Sequence, residues 1–199
     1  MIWTPEQAQA AANAKGWENM VVIFGFRSAN SQYGKYDDIA GILTPNSYDE
    51  VEFNTMPSVD NVGVAVLQPG DYDYVQGLHG ISHLVLPADQ PILDWLNANP
   101  GQDHAPVYDS NGNARLIPYW AYRQAGPVMI KRIGHTVATP DGWPDNPAWI
   151  DLHKGGYNLT SSLGCQTFFP AIWPQARQIG YSAMDALGTK KCKYSLIQQ

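Results

Sequence analysis

The stretch WIDLHKGGYNLTSSLGCQT, residues 149–167, decides how the rest of the chain is read. Its first five residues alternate. Ile150 and Leu152 face one way and suit a core, while Trp149, Asp151 and His153 face the other. An Asp and a His buried beside a Trp are costly unless hydrogen-bonded. On one strand face, a carboxylate two residues from an imidazole can orient the ring and shift its pKa. The plain alternative is a solvent-facing strand side with an incidental Asp-His contact. A loop of glycine and small polar residues follows and runs into Gly164 and Cys165. Gly164 allows a backbone in which successive N–H groups point at a developing oxyanion. An ordinary thiol near pKa 8.5 is only about 3% thiolate at neutral pH, so a nucleophilic cysteine needs an imidazole beside it. His153 fills that role if the loop folds back. Cys192, in KKCKY, has no histidine close in sequence.

Working outward, Thr4-Pro5-Glu6-Gln7 reads as a helix start, with Thr4 as cap, Pro5 at the first position and Gln7 closing a capping box; Gly16 ends that helix. Short β-like runs follow at 20–26, 38–43, 50–54, 62–67, 72–75, 81–86, 119–122, 127–132 and 149–153. They are separated by turn signals such as TPNS, QPGD and SNGN. Helices are expected over Gln90 to Ala98 and Trp173 to Leu187, and a last strand over Lys193 to Ile197. The first of these helices lies in a Pro- and Asn-rich segment, about 86–115, which reads as an insertion or surface excursion. With no repeat or clean linker, the expectation is one α+β domain over residues 1–199, mainly β.

Composition narrows the function classes. The 199 residues are 44% hydrophobic and 15% charged, with a net charge of −6, so the chain is globular and mildly acidic. No basic run appears, which argues against a nucleic-acid partner. Aromatics at 12% are abundant enough to fill a core and line a groove. The N-terminus lacks a basic start and an apolar stretch of secretory type, and no run is long enough for a membrane span, so membrane insertion is not expected. Two cysteines form at most one bridge, and none is expected here.

DLHKGG followed by SSLGCQT resembles the active-site signature of the L,D-transpeptidase catalytic domain. The resemblance implies a β-rich sandwich with a helix beside the active-site loop. It also implies Cys165 as nucleophile, His153 as general base, Ser162 as the family's serine and Gly164 as the oxyanion-loop glycine. Leu163 stands where that family has a second histidine, and Gln166 and Thr167 stand near where it usually has an arginine. YDDIAGILTP, GVAVLQPGDYDY, GLHGIS and IDLHKGG are similar to stretches of phage- and prophage-encoded lysin-like proteins. That implies a peptidoglycan hydrolase of endolysin type that cleaves the peptide stem through a thioester. Such an enzyme is made in the host bacterial cytoplasm and reaches the wall after holin release or from the virion. In this reading Asp151 orients His153, and Trp149, Gln166, Tyr36 and Asp38 meet the substrate. Bacterial peptidoglycan is the partner; no protein partner and no cofactor is expected.

Three rivals remain. Asp151 with Asp37 or Asp38 could be the acid and base of a glycan-cleaving muramidase, which needs carboxyls about 5–5.5 Å apart to retain configuration or about 6.5–9.5 Å to invert it. His79 and His83, with His135 or His153, have spacing that could hold zinc on a helix, although the nearby glycines and Pro87 argue against a helix. The third rival is a non-catalytic wall-binding or virion structural protein in which Cys165 is simply packed.

Overall fold

The computed structural model describes residues 1–57, 64–79, 90–99, 102, 105, 107–108, 114–115, 119–126, 128–133, 147–160, 162 and 164–199. In chain order these form α1 (Pro5–Ala14), β1 (Val22–Arg27), β2 (Asp38–Leu43), β3 (Tyr48–Asn54), β4 (Val64–Leu67) and β5 (Gly70–His79). Next come α2 (Gln90–Ala98), β6 (Val107–Tyr108), β7 (Ala114–Arg115), β8 (Tyr119–Gln124), β9 (Val128–Ile133) and β10 (Pro147–Ala148). The chain ends with β11 (Leu152–Lys154), β12 (Gln166–Phe168), α3 (Trp173–Ala186) and β13 (Lys191–Gln198).

The architecture is α+β and mainly β. Eight strands close into a ring in the order β1-β13-β5-β8-β11-β12-β3-β2. Where two packed sheets are expected from the sequence, the main sheet therefore closes on itself. Closure leaves the ring no free edge to manage. The ring is mixed: β1 runs parallel to β13 and β11 parallel to β12, and the other neighbours are antiparallel. A second sheet, β10-β9-β4, and the small β6-β7 pair complete the described strands.

Local chemistry explains why the elements start where they do. Gln7 N–H donates to Thr4 Oγ1, and the Gln7 side chain accepts from Thr4 N–H at 2.8 Å, so the capping box forms as expected. All six residues of β1 are buried, because the strand is covered on both faces. Ile23 belongs to the main core. Val22, Phe24 and Phe26 join an outer cluster with Ala8 and Ala12 of α1, Trp17 and Leu43. The Trp3 ring closes that cluster edge-on against Phe24 and Phe26, at 5.0 and 4.8 Å. Helix α3 supplies Trp173, Ala176, Tyr181 and Met184 to the main core. Two buried tyrosines tie it to β8: Tyr122 Oη donates to the Ala176 carbonyl, and Tyr181 Oη to the Ala121 carbonyl.

The excursion is not wholly superficial. Leu96 of α2 is fully buried in the main core, with Ile92, Leu93 and Trp95 packed against it. The β-like run at 81–86 lies outside the described residues.

A polar knot joins the ring to the second sheet. Asp38, at the start of β2, accepts from the Ser28 and Thr55 amides and from the Ser31 and Thr55 hydroxyls. Arg27, at the end of β1, donates to Thr55 Oγ1, to the Thr55 carbonyl and to the Leu67 carbonyl of β4. Both side chains are buried, so removing either leaves charged or polar partners stranded. Asp37, next door, is exposed and, among the described residues, bonds Ser31 and Gln32. Asp38→Ala is expected to lower unfolding free energy by about 3 kcal/mol, and Asp37→Ala by less than about 1 kcal/mol. Urea titration checks this; equal midpoints for Asp38→Ala and the unmodified protein would remove the knot from the account.

Candidate active site

Parallel pairing of β11 with β12 sets the site. The register Leu152↔Gln166 and His153↔Thr167 places Asp151 beside Cys165 where the two strands begin. Asp151 N–H points at Cys165 Sγ at 3.4 Å, and Gln166 N–H donates to the Asp151 carbonyl at 3.0 Å. On its other side β11 pairs with β8, and β8 with β5, which brings Tyr119 and His79 across to His153. One reactive atom from each of His79, His153 and Cys165 lies within 4.8 Å of the other two. The two imidazole rings are 4.4 Å apart, with the Tyr119 ring 5.2 Å from His79 and 5.3 Å from His153.

The loop between His153 and Cys165 is held by close contacts. A Cβ on Gly155 would meet Tyr36 Oη at 2.1 Å, and Tyr36 Oη donates to the Gly156 carbonyl. Phe169 packs edge-on against both Tyr36 and the exposed Tyr157. Nearer the cysteine, Ser162 Oγ donates to the Cys165 carbonyl at 2.6 Å and accepts from Gly164 N–H at 3.2 Å. A Cβ on Gly164 would press on Ala65 Cβ at 2.9 Å and Ile150 Cδ1 at 3.0 Å. Gly164 is needed there because the backbone passes tightly over β4 and Ile150. Of the amides around Gly164 expected to face an oxyanion, that of Gly164 itself donates to Ser162 Oγ.

Hydrogen-bond chemistry places a hydrogen on one nitrogen of each ring. His79 Nδ1 lies 2.8 Å from Asp151 Oδ2, and His153 Nδ1 lies 2.7 Å from the Lys154 carbonyl. A carboxylate and a carbonyl only accept, so each Nδ1 carries a hydrogen, and the His153 ring, held neutral by burial, keeps its lone pair on Nε2. The orienting carboxylate thus serves His79, and His153 is oriented by backbone; Asp151 was expected to do the latter. Burial pushes the Asp151 carboxyl upward. The His79 bond and charge, Arg123 with Nε at 3.7 Å, and the Gln124 amide outweigh burial and hold it below the usual range. Burial, with His79 beside it, pushes the His153 imidazole down to about 3, against the Lys154 carbonyl. Burial and the Asp151 charge push the Cys165 thiol up to about 12. The resting pair is therefore a neutral thiol beside a neutral imidazole, and His153 does not depress the thiol as expected from the sequence.

The other expected residues divide. Tyr36, in the connection between β1 and β2, donates to the Gly156 carbonyl, and the half-buried Trp149 lies just before β11. Gln166 faces away from Cys165 by strand alternation; its side chain is fully buried and accepts from Tyr194 Oη. Asp38 is committed to the polar knot, and neither it nor Asp37 contacts Asp151 among the described bonds. His83 and His135 lie outside the described residues. Cys165 is half-buried and Cys192 is buried opposite Tyr74 of β5; both are free thiols. Two contributors escaped the sequence reading. From the sequence His79 reads only as a zinc ligand with His83 and either His135 or His153, and Tyr119 only as a strand residue. The chain matches no family model, no curated protein and no solved structure.

Two measurements follow from these protonation states. Alkylation of Cys165 by iodoacetamide at pH 7 is expected to be slower than that of an unperturbed thiol, rising about tenfold per pH unit to pH 10. Cys192, almost fully buried, reacts later still. A rate already level at neutral pH would mean a preformed thiolate–imidazolium pair.

The second concerns stability. The unfolded chain protonates His153 near its ordinary 6.5, whereas the folded chain resists until about 3. His153 thus contributes stability that is full above pH 6.5 and is lost as pH falls toward 3, by about 1.4 kcal/mol per pH unit. Urea midpoints between pH 7 and 4.5 should fall, and His153→Asn should flatten the fall; identical slopes in both proteins would contradict the assignment.

Proposed function

We propose that this chain is a thiol-dependent peptidoglycan hydrolase of L,D-transpeptidase type, with the lysin-like role that the sequence resemblance implies. The observation that carries the reading is the gathering of Cys165 Sγ with the His153 and His79 rings, which come from the start of β12, from β11 and from the end of β5. Cys165 Sγ attacks the carbonyl carbon of a stem-peptide bond while its proton passes to His153 Nε2. The C–N bond then breaks, and the imidazolium returns the proton to the leaving amine. Water cleaves the resulting thioester and regenerates the thiol. A neutral pair suits this sequence, because the proton moves as the carbonyl is attacked and no buried ion pair has to be maintained beforehand. His79, held by Asp151, stands beside His153 and sets its surroundings; it is a positioning residue. The exposed Tyr157, with Phe169 and Tyr36, offers an aromatic surface on the connection between His153 and Cys165, suited to the apolar face of a wall fragment.

Glycan cleavage by paired carboxylates draws less support. Asp151 is held as a carboxylate and wired to His79, which unsuits it as an acid, and Asp38 accepts four internal bonds. Digestion of purified sacculi tests the choice. New free amines without new reducing ends are expected, and Cys165→Ala should lower their release by roughly a thousandfold with the fold intact. Reducing ends released by Cys165→Ala protein would overturn the thiol reading in favour of the glycan strand. No release by the unmodified protein would leave a wall-binding or structural role.

A further inference from the structure

The three groups that make the thiol site also have the make-up of a metal site. We propose that His79, His153 and Cys165 bind one soft divalent cation of the zinc class, and that the bound cation silences the thiol. Binding stands on the geometry alone; the silencing rests on the thiol reading above.

The donor set is two imidazole nitrogens and one sulfur, which suits zinc and disfavours magnesium or calcium, both of which seek oxygen. Tetrahedral zinc with these ligands sets donor atoms about 3.3–3.6 Å apart. The three atoms here lie within 4.8 Å of one another, so modest side-chain rotation closes the site. An independent feature is the outer shell. Each ring already spends Nδ1–H on a fixed acceptor, the Asp151 carboxylate for His79 and the Lys154 carbonyl for His153. That bonding orients a metal-binding histidine and directs Nε2 at the ion. Pairing of β5, β8, β11 and β12 holds the ligands on a common frame, and the fourth position is left for water. On binding, the Cys165 S–H bond breaks, the proton leaves to solvent and an S–Zn bond forms; no electron is transferred. The sulfur is then no longer available to attack a carbonyl.

The test uses the whole chain freed of metal by chelation and titrated with zinc and with cobalt(II). Expected are one zinc per chain, a thiolate-to-cobalt charge-transfer band, and at least tenfold weaker zinc binding in Cys165→Ser and His79→Gln. Zinc should also protect Cys165 from iodoacetamide and stop sacculus digestion, and a chelator should restore both. The cobalt band and the protection need no variant, so a variant that fails to fold does not decide the matter. No stoichiometric zinc and no cobalt band would overturn the site and leave the thiol reading standing. Zinc bound at these residues but required for digestion would overturn the silencing and the thiol reading together.

Discussion

The buried carboxylate of Asp151 is the constraint around which this site is organised. A lone ionised Asp in such a place is too costly to keep, so its neighbours must satisfy it. They come from two strands: His79 from the end of β5, and the Gln124 amide and Arg123 from β8. The backbone of the same residue reaches Cys165 Sγ and the Gln166 amide on the far side. One residue therefore gathers the ends of neighbouring strands, and the thiol and both imidazoles fall into place around it. The same charge helps to raise the Cys165 thiol, so what assembles the site also keeps it protonated at rest.

The ring supplies the frame on which this wiring is precise. Cys165 and His153 sit at or beside short parallel strands, only three residues each, that would be marginal alone. They are held because β8 and β3 pair with them from either side, and because Phe168 and Leu152 are fully buried in the core. Helix α3 follows β12 within a few residues, and its buried Trp173 packs against Phe168 at 5.4 Å. At Gly155 and Gly164 the neighbours leave no room for a side chain. His153 lies in β11 and Cys165 immediately before β12, and the exposed Tyr157 lies on the connection between them.

Much of the frame was legible in the sequence, because local signals and burial agreed. The Thr4 cap, α2 and β2 appear where their patterns put them. What pattern reading lost was non-local. Ring closure depends on β1 pairing with β13 across almost the whole chain, and no alternation within either strand announces its partner. β12 is too short for a period to emerge. At the site, Cys165 and His153 were visible because they lie close together in one loop. The partnership of His79 with Asp151 spans 72 residues and arises only from strand order. Gln166 looked like a site residue by adjacency, yet a strand turns alternate residues to opposite faces. Gly164 carried the right residue type for an oxyanion loop, but Ser162 and the tight passage over Ala65 explain its presence here.

The central claim is that Cys165 becomes covalently attached to the carbonyl side of a wall peptide. Acid quenching of the protein during turnover of soluble peptidoglycan fragments, followed by intact-mass and peptide mapping, tests it most directly. The account predicts an adduct on Cys165 equal to the stem fragment less its leaving amine, labile to hydroxylamine and absent from Cys165→Ala. Turnover that continues with no adduct at any quench time, and equally fast in Cys165→Ala, would contradict it.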